Sequence, residues 1–167
     1  MRIRPGVEAD LPAIEALIRA LAEFERLSGE VSMDSELLCE NLFRHRYAET
    51  LLAEADSGEV AGFALFFHTF STFLGRPGIY LEDLFVRPEH RGRGTGRALL
   101  AHLAALAVER GCGRIEWAVL DWNRDAIRFY ERLGARPNSD WTVYRMTGDA
   151  IITLAQEPST GADMMGR

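Results

Sequence analysis

Two adjacent carboxylates, Glu82 and Asp83, interrupt the hydrophobic run Ile79-Tyr80-Leu81-Glu82-Asp83-Leu84-Phe85-Val86. Acids inside an apolar strand suit proton abstraction or the anchoring of a cation. Shortly after this run comes Arg91-Gly92-Arg93-Gly94-Thr95-Gly96, and a helical pattern follows from Arg97. Glycines let successive backbone N–H groups point inward without Cβ clashes, and a helix N-terminus adds partial positive charge. The turn is therefore an anion cradle that suits a diphosphate-bearing ligand.

The surrounding elements follow from periodicity. Ile3-Arg4-Pro5 reads as a short edge strand. Ala9 to Leu27 reads as a helix with Leu11, Ile14, Leu17, Ile18, Leu21 and Phe24 at helical spacing, Asp10 as its N-cap and Pro12 near its first turn. A second helix is expected from about Ser32, with Asp34 and Glu36 in its first turn. Strands are expected at Thr50–Glu54 and Val60–His68, and a loop over Phe70–Gly78, where Gly75, Pro77 and Gly78 cluster. The helix leaving the glycine turn carries Leu99, Leu100, Leu103, Leu106 and Ala107 as its apolar stripe. Arg114–Leu120 alternates as a half-buried strand, Asn123–Leu133 is helical, and Trp141–Met146 is the expected last strand. From about Gln156 the chain lacks periodicity and reads as a disordered tail. This order gives an α+β class with a mixed, mostly antiparallel central sheet, because the strand–turn–helix–strand unit demands one parallel crossover.

At 167 residues, 47% of them hydrophobic, the chain can bury one substantial core, so residues 1–155 are expected to form a single domain. A net charge of -6 argues against a nucleic-acid partner, which usually leaves a basic footprint. No apolar run reaches the ~20 residues of a membrane span, and Met1–Pro5 is followed by acidic amphipathic sequence rather than a signal core. A cytoplasmic protein with no membrane association is the expectation. Cys39 and Cys112 have no metal-binding or redox spacing and are expected as reduced thiols, and no metal is expected.

Three readings compete for the glycine turn. A Walker A loop requires Gly-Lys-Ser/Thr at its end, whereas Arg97 follows Gly96 here. A dinucleotide turn requires a small residue where Arg97 stands, in a unit that opens its domain; this turn falls past mid-chain. The third reading is a connector without a ligand.

A wider pattern bears on the choice. Val86, the turn Arg91–Gly96 and Asn123-Arg124-Asp125-Ala126-Ile127-Arg128-Phe129-Tyr130-Glu131-Arg132-Leu133-Gly134-Ala135 together resemble the GNAT acetyltransferase superfamily. Within it, Tyr80–Val86 and Ala118-Val119-Leu120-Asp121-Trp122-Asn123 resemble the diamine (spermidine/spermine) N-acetyltransferases and their thialysine-acetylating relatives, the latter more closely. The resemblance spans about Ile3 to Leu154 and implies a sheet with helices on both faces. It implies acetyl-CoA as cosubstrate, a small-molecule amine as acceptor and a homodimer.

The resemblance also assigns residues. It places Leu84, Phe85, Val86, Arg91, Gly92, Arg93, Gly94, Thr95, Gly96, Arg97, Asn123 and Tyr130 against acetyl-CoA. Glu82 is implied as the base, acting directly or through water, and Tyr130 as the acid toward the departing sulfur. Glu25, Glu82, Asp83, Ser71, Thr72 and Trp141 are implied on the acceptor side. Strictly polyamine-directed members carry an acid where Ser71-Thr72 stands, a departure that favours a smaller diamine or an amino acid such as thialysine. A protein N-terminus or lysine as acceptor, and a non-catalytic acyl-CoA-binding module, are the alternatives.

Overall fold

The alternating segments pair into one five-stranded sheet in the order β1 (Arg2–Pro5), β2 (Glu49–Glu54), β3 (Val60–Ser71), β4 (Arg76–Val86) and β5 (Ile115–Trp117). The first four strands are mutually antiparallel, and β5 runs parallel to β4. The computed structural model describes residues 1–157; of the expected tail, 158–167 lie outside the described residues. Two compact units divide the chain, Met1–Leu120 and Asp121 onward, and the sheet belongs to the first.

In β3 every residue from Ala61 to Phe66 is buried, so both sets of alternating side chains need cover. Helix α1 (Leu11–Glu25) supplies Ile14 and Leu17 to a core with Leu52, Phe63, Leu65 and Phe85. Helix α2 (Ser35–Cys39) continues as a wider π-type turn over Glu40–Arg44, which adds Leu42. Helix α3 (Thr95–Glu109) buries Leu99, Leu100, Leu103 and Ala107. The mixed α+β architecture is thus the one the patterning predicts.

Several boundaries differ for identifiable reasons. The expected loop over Phe70–Gly78 is mostly strand: Phe70 pairs with Pro77 and Thr69 with Gly78, so the hairpin turns only over Thr72–Gly75, where Gly75 has φ 61°. Pro77 is tolerated because it lies near the start of β4, where a missing N–H interrupts little. Asp10 does stand at the N-cap of α1 but makes no side-chain cap. Its carboxylate accepts instead from Arg4 Nη1 and Nη2 at 2.7 and 2.8 Å and from the Val7 N–H at 2.9 Å, because a bidentate guanidinium outcompetes a neutral amide. The second helix starts at Ser35, not near Ser32, where the Asp34 carboxylate accepts from the Leu37 N–H at 2.8 Å.

The second unit holds α4 (Arg124–Arg132) and α5 (Asp149–Ala155). Asn123 Oδ1 caps α4 by accepting from the Ala126 N–H at 3.2 Å. Trp141–Met146, expected as a strand, is irregular here. A strand exists only through a ladder, and the described residues of this unit contain no other strand. The helix α5 beyond it was not signalled by the sequence pattern.

Candidate active site at the opening of the sheet

The ladder between β4 and β5 consists of three pairs: Ile79 with Ile115, Tyr80 with Glu116 and Leu81 with Trp117. Strand β5 then ends, short of the Leu120 expected from alternation, while β4 runs on to Val86. From Glu82 onward one edge of β4 therefore has no neighbouring strand among the described residues. Arg87 N–H donates across to the Ala61 carbonyl at 2.9 Å, so alternation turns the Leu84 and Val86 N–H groups to the open edge. Such an edge offers donors to a ligand carbonyl or amide.

Glu82 is an extra residue in the strand. Leu65 pairs with Asp83 and Phe66 with Leu81, which leaves Glu82 unmatched in a β-bulge. Regular alternation would separate Glu82 and Asp83 onto opposite faces, but it is broken there, because two residues of β4 span one step of β3. Glu82 is exposed, and Asp83 is half-buried on the face shared by Leu65 and Phe85, which is the α1 face. Burial, then the nearby charges of Glu82 and Glu25, push the Asp83 carboxyl up to about 6. Glu25, the last residue of α1, is itself raised by burial. Three acids thus repel one another at one end of the sheet, an arrangement that a cationic ligand would relieve.

The glycine turn leaves β4 through Arg87 and a 3₁₀ turn over Pro88–His90. Gly92 and Gly94 have φ of 72° and 83°, and a Cβ on either would meet nothing within 4 Å. Glycine is needed there for the left-handed backbone, and the space above it is open. Thr95 is buried, and its hydroxyl donates to the His90 carbonyl at 3.3 Å, so it braces the turn rather than facing outward. Arg93 and Arg97 are exposed. Arg91 is held: its Nε donates to the Val86 carbonyl at 2.8 Å, and its Cζ lies 4.7 Å from the Phe24 ring centroid. Sequence reasoning missed Phe24, which reads as one more apolar position of the α1 stripe.

Other expected residues lie elsewhere. Ser71 is buried at the tip of the β3–β4 hairpin, where its Oγ accepts from the Leu74 N–H at 3.3 Å, and Thr72 is exposed beside it. Arg76, paired with Ser71, stands seven residues before Asp83 on β4, roughly 23 Å along a strand, so the structure does not bring Ser71 and Thr72 to the acidic cluster. Tyr130 lies on α4, half-buried, with its ring 5.3 Å from that of Phe129, and Trp141 is exposed in the irregular segment.

Among the described residues one group offers three cation ligands close together, Glu59, Glu89 and His90, whose ligand atoms lie within 4.8 Å of one another. Both glutamates are exposed, and His90 Nε2 is 3.5 Å from Glu59 Oε2, an ion-pair distance for a protonated imidazole. Among the described residues no helix is long and apolar enough to cross a membrane.

Comparison with known proteins agrees with this geometry. The acetyltransferase (GNAT) family pattern matches residues 14–135. Mouse thialysine N-epsilon-acetyltransferase is 37% identical over 165 residues, covering 92% of this chain and 96% of that protein. The L-ornithine N5-acetyltransferase of Arabidopsis thaliana is 33% identical, covering 92% of this chain and 87% of its own length. A crystal structure described as a probable acetyltransferase superposes with a TM-score of 0.76 at 25% identity, over 88% of this chain and 97% of that one. A family match across most of the chain, and an opened sheet edge leading into a glycine-rich turn, lead to one conclusion: the chain belongs to the GNAT acetyltransferase family and is an N-acetyltransferase.

Proposed function

We propose that the chain transfers the acetyl group of acetyl-CoA to the primary amine of a small diamine or a diamino acid of the thialysine kind. The observation that carries this reading is the trio Glu25, Glu82 and Asp83 at the end of the sheet where β4 loses its neighbour. A second ammonium on the acceptor would neutralise part of that cluster. The relatives named for thialysine and ornithine, both diamino acids, support the same class. The family match crosses the division at Leu120 and Asp121, which supports reading 1–155 as one catalytic domain.

Acetyl-CoA fits the residues present. The open space above Gly92 and Gly94, the N-terminus of α3 and the exposed Arg93 and Arg97 suit its diphosphate, and the open edge of β4 suits its amide-bearing arm. When bound it supplies an activated thioester carbonyl. An alkylammonium, with a pKa near ~10, must first lose a proton. Glu82 takes it, directly or through water. The freed lone pair forms the C–N bond at the thioester carbon, and the Leu84 and Val86 N–H groups receive the charge that develops on oxygen. As the C–S bond breaks, the Tyr130 hydroxyl gives its proton to sulfur and recovers one from the acetylated nitrogen. Asp83 and Glu25 hold the distal ammonium, and a homodimer is the expected assembly.

Purified protein with acetyl-CoA and a panel of thialysine, ornithine, lysine, spermidine and diaminopropane tests the reading. Turnover of the diamino acids supports it. Turnover only on peptide amines points to a protein acceptor, and acetyl-CoA binding without transfer to any amine points to a non-catalytic module.

A further inference from the structure

Arg91 opens the glycine turn, yet its guanidinium is committed to two aromatic rings. Its Cζ lies 4.7 Å from the Phe24 centroid and 5.3 Å from the Phe85 centroid, and those rings are 6.5 Å apart and inclined at 57°. Its Nε donates to the Val86 carbonyl at 2.8 Å. Three elements converge on this one side chain: the last turn of α1 through Phe24, the end of β4 through Phe85 and Val86, and the turn that Arg91 itself begins. Phe85 is 5% exposed and Phe24 39%, so one ring is an immobile floor and the other a partly open wall.

The next residue after Phe24 is Glu25, whose half-buried carboxylate helps to raise Asp83. Any shift of Phe24 therefore moves an acceptor-side acid, and any shift of the turn is transmitted to Phe24 through Arg91. We propose that Arg91, seated over both Phe24 and Phe85, is a positioning residue that fixes the Glu25-bearing end of α1 to the acetyl-CoA turn, so that filling the turn strengthens amine binding. This rests on the small-amine reading for the role of Glu25. Amine and CoA affinities must then be coupled reciprocally. A cation over an aromatic ring corresponds to about a twofold to thirtyfold effect, depending on desolvation.

Phe24→Leu, Phe24→Tyr, Arg91→Lys and the Phe24→Leu/Arg91→Lys double variant test the clamp. Two measurements are made on each: CoA affinity without amine, and amine KM at saturating acetyl-CoA. Phe24→Leu is expected to raise amine KM about three- to tenfold while leaving the CoA Kd within about twofold, and Phe24→Tyr, which keeps the ring, to restore it. Arg91→Lys loses the planar stack, and its effect on amine KM should not add to that of Phe24→Leu. An amine KM indifferent to Phe24→Leu, or fully additive effects in the double variant, overturns the clamp. Hydrogen exchange gives a readout free of the amine: CoA should slow exchange over residues 22–27 in the wild type and not in Phe24→Leu. Absence of that protection although CoA binds also overturns the clamp, whereas failure of the wild type to acetylate any small amine overturns the small-amine reading alone.

Discussion

Leu81 and Trp117 are the last paired residues of the parallel ladder between β4 and β5. One residue later Glu82 bulges, and from there β4 keeps one partner strand instead of two. The sheet opens at the edge proposed for the acyl carrier, and the same step brings Asp83 onto the α1 face, where the charge of Glu25 reaches it. One local irregularity thus sets backbone donors on an open edge beside acids on the side chains, the two groups that the proposed function uses.

The first prediction concerns pH. Asp83, raised from 3.8 to about 6, should give kcat/KM an acidic limb, with activity rising as pH increases through about 6. Asp83→Asn should remove that limb. Glu82→Gln should lower kcat about a hundredfold or more and, by removing one of the charges that raise Asp83, shift the limb to lower pH without abolishing it. A limb that vanishes with Glu82→Gln and survives Asp83→Asn would reverse these roles. A bound ammonium favours the ionised acid, so the limb on kcat should fall at lower pH than that on kcat/KM.

The same group has a stability consequence of opposite sense. A carboxyl raised on folding contributes fully only below its unfolded value of 3.8, and that contribution is lost as pH rises through about 6. Asp83→Asn should therefore raise Tm at pH 8 relative to wild type, with the advantage shrinking toward pH 4. Thermal melts across that range decide it.

At the turn, Gly94→Ala places a Cβ where φ is 83° and into the open space proposed for the diphosphate. The left-handed backbone costs about 1–2 kcal/mol, a loss of a few degrees in Tm. CoA affinity should fall more than tenfold. An affinity equal to that of wild type would show that the ligand does not contact this stretch.

Tyr130→Phe should reduce kcat by about a hundredfold or more while CoA affinity stays within about twofold. Calorimetry beside steady-state rates makes the comparison. An undiminished kcat would leave Tyr130 as a packing residue of α4.

Far from the site, Asp10→Ala strips Arg4 of its bidentate partner, and Glu54 Oε2, 2.6 Å from Arg4 Nε, remains its other acid. Loss of a part-buried charged partner should cost about 1–3 kcal/mol at pH 7. Hydrogen bonding to Arg4 holds the Asp10 carboxyl below its usual 3.8, so this contribution is fully present above that value and is lost as pH falls from there through the lower folded-state value. Urea titrations of both proteins should show their difference in stability narrowing as pH falls from 7 to below 3.8.

Much of the framework was legible in the chain. Ile14, Leu17, Leu99 and Leu103 recur at helical spacing and are fully buried, and Gly92 and Gly94 mark a left-handed turn that few other residues adopt. Local rules reach this far because helix periodicity and glycine conformation are properties of consecutive residues. The hairpin over Phe70–Gly78 was misread for the converse reason: Pro77 and Gly78 carry turn preferences, but ten paired positions along β3 and β4 outweigh them. The pairing of Asp10 with Arg4 was hidden because a cap and an ion pair call for the same residue type.

What the sequence alone determined is chemical inventory and local shape: an anion-cradling turn, two adjacent acids on an apolar strand, and the helices and strands that flank them. Tertiary structure decided which groups share an environment. Burial distinguishes Asp83 from Glu82 although the two are neighbours in the chain, the end of β5 at Trp117 opens the backbone edge, and packing carries Phe24 to Arg91. Desolvation and ring contact depend on the distance between atoms far apart in sequence, and folding alone sets those distances.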